Sequence, residues 1–263
     1  MLKKYIYKYY YYFIFLIITL IFFLIIYYFY KEDNNIDNFE QNNNIKFMNK
    51  IETQKFINND EDNYIKNLSL YDLRARKVKT NEEYKKIVID NCLDFNDIQK
   101  NKIIFCANKA QDFFNNNINW NFALISNIYE EGMPHTRKDI IFLSPNIFNN
   151  NDDELIKTLI HESVHIYQRY NKDIIKKYLN ENNYFISRLR KNIHLIRANP
   201  DLDEYIYKDN NNNELIAYYT NEYPNGINDI TIKNYSFEHP FEKMAYEIGE
   251  KYLQTLLLKY KNI

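Results

Sequence analysis

Residues 152–170 read DDELIKTLIHESVHIYQRY, a pattern typical of a single amphipathic helix. Three acidic residues at its start and Arg169 near its end match the dipole of such a helix. Apolar residues recur along one side with helical spacing: Leu155, Leu159, Ile160, Val164 and Tyr167. His161 and His165 share another face, where both imidazoles can reach one metal ion, with Glu162 beside it. The stretch therefore predicts a helix that is packed on one side and open to a cleft on the other.

The composition of the 263-residue chain excludes several other kinds of site. Its 3 glycines cannot supply the glycine-rich loops that bind dinucleotides or nucleoside triphosphates. The two cysteines, Cys92 and Cys106, are too few for a cysteine-rich zinc site, and they either pair with each other or stay as buried free thiols. A net charge of -1 gives no support for binding to nucleic acid. A bound metal is therefore expected to have His, Asp or Glu ligands.

The N-terminal residues predict a membrane anchor. Residues 9–30 contain no charge, and as a helix they would span about 33 Å, which matches the apolar core of a bilayer. Tyrosines stand at both ends, and no small-residue cleavage site follows, so a cleaved signal peptide is the weaker interpretation. Lys3, Lys4 and Lys8 place residues 1–8 in the cytosol by the positive-inside rule. We expect a single-pass protein that contacts the bilayer through residues 9–30, with its main domain lumenal or extracytosolic.

The remaining sequence predicts a flexible Asn-rich stalk at 31–60 and one domain at 61–263. Predicted helices cover about 80–92, 96–114, 152–170, 173–196 and 240–260. Short strands are expected at 120–128 and 139–144, around the loop EEGMPHTRK, and a hairpin is expected from EYIY at Glu204 to ELIAYY at Glu214. The predicted fold class is α+β, mainly helical, with a small antiparallel sheet.

The HExxH motif at 161–165 resembles that of the zincin metallopeptidases. In that family an edge strand that aligns the substrate precedes the HExxH helix, and DIIFLS at 139–144 stands in the corresponding place. The third histidine of metzincins is absent, because Gln168 and Asn171 occupy the positions of the metzincin Gly and His. The resemblance is therefore to the gluzincin type, in which a glutamate on a later helix is the third ligand.

The segment HPFEKMAYEIGEKYL, which starts at His239, is similar to that later helix, and the resemblance implies Glu242 as the third ligand. Ala245 and Gly249 share its face and would let it approach the HExxH helix closely. Gluzincins often carry an Asp four residues after the ligand Glu, and Tyr246 stands there instead. The other candidates for the third ligand are Glu238, His239 and Glu247.

The resemblance implies one Zn²⁺ per chain and a membrane-anchored metallopeptidase that acts on a peptide or protein. Glu162 would be the general base for a zinc-bound water. The donor to the oxyanion stays open between His135, Tyr218, Tyr219 and Tyr223, and Arg137 is a further candidate for substrate binding.

The Asn-, Ile- and Tyr-rich composition is similar to that of membrane-anchored zincin-like proteins of large DNA viruses or protists with A/T-rich genomes. This resemblance implies a host or virion membrane as the location. The alternative function is a non-catalytic surface or virion protein that uses a zincin-like fold as a binding scaffold. The intact Glu162 favours the enzyme, because it is the residue that a pseudoenzyme usually loses.

Overall fold

The helices and strands in the described part of the chain are known from a computed structural model, which covers residues 44–115, 118–190 and 195–261. These residues belong to one unit that begins at Asn44. The predicted cytosolic segment 1–8 and the predicted anchor 9–30 lie outside them. Within the covered ranges, no helix combines the length and the apolar character needed to cross a membrane.

Seven α-helices are present in the described residues: α1 Lys50–Asn59, α2 Leu70–Ala75, α3 Asn81–Asp90, α4 Asp97–Phe113, α5 Asp152–Tyr170, α6 Lys172–Glu181 and α7 Pro240–Lys261. The strands of the same residues are β1 Ile45–Phe47, β2 Cys92–Leu93, β3 Trp120–Ile125, β4 His135–Arg137, β5 Ile140–Leu143, β6 Phe185–Leu189, β7 Tyr205–Lys208, β8 Glu214–Leu215, β9 Ala217–Tyr219 and β10 Ile230–Ile232. The chain is therefore mixed α+β, as predicted from the sequence.

The main sheet has five strands in the order β1-β3-β5-β4, with β2 paired to β3. Strands β1 and β5 run parallel to β3, whereas β2 and β4 form antiparallel pairs. The two smaller sheets, β6-β7-β8 and β9-β10, are antiparallel, and the predicted hairpin is the β7-β8 pair. The prediction of a small antiparallel sheet thus holds for the smaller sheets, while the main sheet also contains parallel pairs.

Alternating side chains of β3 enter two hydrophobic cores, because successive residues of a strand point to opposite faces of the sheet. Phe122 packs with residues of α4 and α5 in one core, and Ala123 packs with residues of α1 and α3 in the other. Cys106 lies in the first core and Cys92 in the second, and both are buried free thiols. The two cysteines therefore belong to opposite faces of the sheet.

The C-terminal part of the predicted stalk is folded, and its predicted boundary at residue 60 is wrong. Asn49 begins α1 with a capping box, β1 pairs with β3, and Ile57 is fully buried. Arg137, a predicted substrate-binding residue, is also fully buried and bonds Asp60 and Asp62. Arg137 therefore joins this N-terminal segment to the sheet, and its guanidinium is occupied by these carboxylates.

The predicted helix at 173–196 is also wrong, because α6 ends at Glu181 and a strand follows it. Asn183 adopts a left-handed backbone with φ 57°, a conformation that asparagine tolerates better than most residues and that cannot continue a helix. The bounds of α5 agree with the prediction. Its N-terminal residue follows a capping Asn151, whose side chain accepts a bond from the backbone N–H of Glu154.

Helices α5 and α7 pack closely, as the small residues of α7 predict. Ala245 is fully buried, and an added Cβ at Gly249 would lie 3.6 Å from the backbone oxygen of Lys157 in α5. This close approach brings the first turn of α7 against the histidine face of α5.

Candidate metal centre

Three of the predicted ligands converge where α5 and α7 meet. The Nε2 atoms of His161 and His165 are 3.0 Å apart. Oε2 of Glu242 lies 3.4 Å from the first and 3.8 Å from the second. One ligand atom from each residue lies within 4.8 Å of the others, and no other group of three or more His, Cys, Asp or Glu residues in the described ranges converges in this way.

Hydrogen bonds orient two of these ligands. His165 Nδ1 is 3.0 Å from Oε1 of Gln168, and the amide of Gln168 donates to the backbone oxygen of Phe241 at 3.1 Å. Because that second bond fixes Oε1 as an acceptor, the imidazole proton sits on Nδ1, and Nε2 keeps its lone pair for a metal. Asn199 donates to Oε1 of Glu242 at 2.9 Å and leaves Oε2 facing the histidines.

The electrostatics of the group suit a cation. Burial lowers the pKa of His165, which favours the neutral imidazole that binds metals. Burial opposes the ionisation of Glu242, but His165, His161 and Asn199 outweigh it and hold the pKa of that carboxyl well below its usual range. Two imidazole nitrogens whose lone pairs face each other 3.0 Å apart repel unless a proton or a metal ion lies between them. Two imidazoles and one carboxylate are a usual donor set for zinc, so the residues fit this metal.

Glu162 has the environment of a catalytic carboxyl group. It is buried, and its Oε2 has no hydrogen-bond partner in the described part of the chain. Burial, followed by the negative charges of Asp201 and Glu242, raises its pKa well above the usual range. A carboxyl group with a raised pKa accepts a proton more readily than an ordinary one.

Two of the three candidate ligands, His161 and Glu242, line a cleft of about 580 Å³ together with Glu162, a volume common for sites that bind small molecules. The third, His165, is fully buried behind them. His135 also lines it, as the sequence predicts. His135 Nδ1 is 2.9 Å from the backbone oxygen of Met133, and its Nε2 has no partner among the described residues. Burial lowers the pKa of His135, which favours the neutral imidazole.

The three tyrosines predicted as oxyanion donors are not among the described residues that line the cleft. Tyr219 is buried and donates to Asp72 at 2.9 Å, so its role is structural. Tyr223 is 71% exposed, and the guanidinium of Arg74 lies over its ring. The ammonium group of Lys233 lies over the ring of Tyr218. Tyr218 and Tyr219 belong to β9, and Tyr223 lies in the loop after it. The sequence placed all three before α7 without indicating where their side chains point.

Tyr246 is the tyrosine that lies at the site. Its ring packs edge-on against the ring of His161, with centroids 4.8 Å apart, and it lines the cleft. Burial, followed by the charge of Glu242, raises the pKa of Tyr246, so the phenol stays protonated and can donate. Its position four residues after Glu242 was the available signal, since residues at this spacing share a helix face.

The alternative third ligands have other partners. Glu247 is exposed and pairs with Lys243. Glu238 bonds Arg197 and Asn199, and His239 Nε2 lies 3.3 Å from Asp203. The geometry therefore favours Glu242 over Glu238, His239 and Glu247.

Comparison of the chain with known proteins adds no relative. A scan against protein-family models finds no match, and searches of curated proteins and of solved structures find no similar chain. Any functional assignment therefore depends on the site itself.

Proposed function

We propose that the protein is a zinc-dependent metallopeptidase of the zincin type, with zinc held by His161, His165 and Glu242. The observation that supports it most directly is the convergence of these three donors beside the buried Glu162. The bond from His165 to Gln168 adds support, because metal-binding imidazoles usually donate their second N–H to a neighbouring acceptor.

Zinc in such a site lowers the pKa of water and polarises a scissile carbonyl. The chain supplies the proton transfers. Glu162 takes a proton from the attacking water and returns it to the leaving amine. Burial raises the pKa of this carboxyl, which helps it to hold the proton between the two steps. Tyr246 and His135 line the same cleft and are the candidates to donate to the developing oxyanion.

The membrane location is part of the proposal and is supported by sequence alone. Residues 9–30 would anchor the protein, with the metal centre on the lumenal or extracytosolic side. Protease protection of intact vesicles tests this topology. The unit that begins at Asn44 should be cleaved only from the lumenal side, while an N-terminal tag should be cleaved from the cytosolic side.

Elemental analysis of the full chain in detergent tests the metal site. We expect one zinc per chain in the wild type, loss of zinc in His161→Ala and Glu242→Ala, and retention in Glu162→Gln. Glu247→Gln is the matched control, because it removes an exposed carboxylate from the same helix. A peptide-library screen then tests hydrolysis, which should disappear in Glu162→Gln.

A folded wild type that binds no zinc would refute the metallopeptidase and leave the scaffold protein as the better interpretation. Zinc retention in Glu242→Ala, with loss in His161→Ala, would instead refute only the choice of the third ligand.

A further inference from the structure

The outer edge of the main sheet, formed by β4, meets the cleft. Strand β4 is the outer strand of the described sheet, and β5 lies between it and β3. The expectation that the segment 139–144 forms the edge strand is therefore wrong, because β4 covers it. Met133, Pro134 and His135 line the cleft at the start of β4. An open sheet edge in this place could bind an extended peptide as an additional strand, through main-chain hydrogen bonds.

The edge is closed by side chains of the same chain. In an antiparallel pair, alternate residues direct their backbone groups away from the neighbouring strand, and Thr136 is the residue of β4 that does so. Its N–H donates to Oδ1 of Asp201 at 2.6 Å, and its carbonyl accepts from Arg169 at 3.1 Å. Pro134, the next residue on this edge toward the cleft, has no N–H to offer.

The residues that close the edge are buried and make further hydrogen bonds. Arg169 also donates to the hydroxyl of Thr136 and to the backbone oxygens of Lys138 and Pro200. Thr136 is fully buried, and Asp201 is only 8% exposed. These bonds involve charged groups and are roughly twice as strong as neutral ones, so an incoming strand would have to displace strong partners.

We propose that Asp201 and Arg169 determine substrate length, and that the site accepts short peptides of a few residues instead of extended protein segments. This proposal rests on the proposed peptidase function. The cleft volume of about 580 Å³ agrees with it, because sites of this size usually bind ligands of small-molecule dimensions. Short peptides can enter such a cleft without pairing along β4.

A peptide ladder tests the proposal. Wild-type, zinc-loaded protein is given peptides of three to twelve residues that share one cleavable sequence, and kcat/KM is measured for each. We expect the wild type to prefer the shortest peptides by about tenfold or more over the longest. The Asp201→Ala variant should lose this preference, because the Thr136 N–H becomes free to pair with a longer substrate.

Asp201→Asn is the matched control, since its amide oxygen can still accept from Thr136 and keep the edge closed. The ratio of long to short substrates is compared within each variant, so that any general effect of Asp201 on Glu162 cancels. A second readout needs neither zinc nor cleavage. In the metal-free protein, hydrogen exchange of the Thr136 amide should be slow in the wild type and in Asp201→Asn, and much faster in Asp201→Ala.

Equal kcat/KM for short and long peptides in the wild type would overturn the proposal, and this comparison decides even where Asp201→Ala does not fold. Rapid exchange of the Thr136 amide in the wild type would overturn it as well. Absence of cleavage at every length by zinc-loaded protein is a different result, because it would refute the peptidase function together with its substrate class.

Discussion

Replacement of Gln168 by leucine should weaken zinc binding although no ligand is removed. Gln168 accepts the Nδ1 proton of His165 at 3.0 Å and thereby holds the ring with Nε2 toward the site. Leucine cannot accept this proton, so the ring loses its fixed orientation and some of its basicity. Loss of such an outer partner typically lowers metal affinity about 10–100-fold, or about 1.4–2.8 kcal/mol.

The expected affinity change can be separated from a general loss of stability. Gln168 also donates to the buried carbonyl of Phe241, and removal of this donor costs about 1–3 kcal/mol. Gln168→Glu shares that loss, yet its carboxylate still accepts from His165, so its zinc affinity should stay close to the wild-type value. Thermal melting of the metal-free variants measures the shared cost.

Competition with a chromophoric zinc chelator measures the affinities of the wild type and both variants. The reasoning is refuted if Gln168→Leu binds zinc within about twofold of the wild type. It is also refuted if Gln168→Glu loses affinity as strongly as Gln168→Leu, because the bond to His165 would then have no separate effect.

Three further predictions concern other parts of the molecule. Burial raises the pKa of both the Cys92 and the Cys106 thiol to about 12, above the value in the unfolded chain. Their contribution to the free energy of unfolding should therefore be complete below about pH 9 and decrease above it by about 1.4 kcal/mol per thiol and pH unit. Urea unfolding at pH 8–11 should show a steeper decline of stability in the wild type than in the double alanine variant. Arg137→Leu should destabilise the fold by about 3–5 kcal/mol in chemical denaturation, because Asp60 would remain buried without its cation, and a cost below about 1 kcal/mol would contradict this role. Asn199→Leu should reduce zinc affinity about tenfold by calorimetric titration, since the carboxylate of the third ligand loses its donor, and unchanged affinity would show that other contacts hold that carboxylate.

The features that the sequence predicts best are local ones. Helix α5 is bounded by a capping asparagine and an uninterrupted apolar stripe, and the pairing of His161 with His165 follows from helix geometry alone. Glu242 could not be predicted from the geometry of one helix, because it lies on a separate helix. The resemblance to gluzincins indicated it, and the small residues of α7 explain how the two helices approach.

The features that sequence reasoning missed depend on contacts between distant segments. In the sequence, Gln168 stands out only as a departure from the metzincin pattern, and Asn199 and Asp201 lie in a loop that carries no motif. The Asn-rich composition around Asn49 and Ile57 predicts a flexible stalk. The structure instead has a capping box at Asn49 and a fully buried Ile57, which depends on packing that the local composition does not indicate. Among 26 tyrosines, only the position of Tyr246 relative to Glu242 distinguishes the one at the metal centre.

The Asp201 carboxylate connects the chemistry of the site to its selectivity. One of its oxygens closes the sheet edge at Thr136, and its charge is among the causes that raise the pKa of Glu162. Arg169 lies in the last turn of α5, the helix that carries both histidines. Its bonds to the backbone oxygens of Thr136 and Pro200 hold the edge strand and the loop at Pro200 against the C-terminal end of this helix. An insertion that opened the edge would therefore also disturb the surroundings of Glu162, the proposed general base. Edge closure and the proposed metal site thus depend on the same residues, which favours the proposal of a small-peptide site over a general protein-cleaving groove.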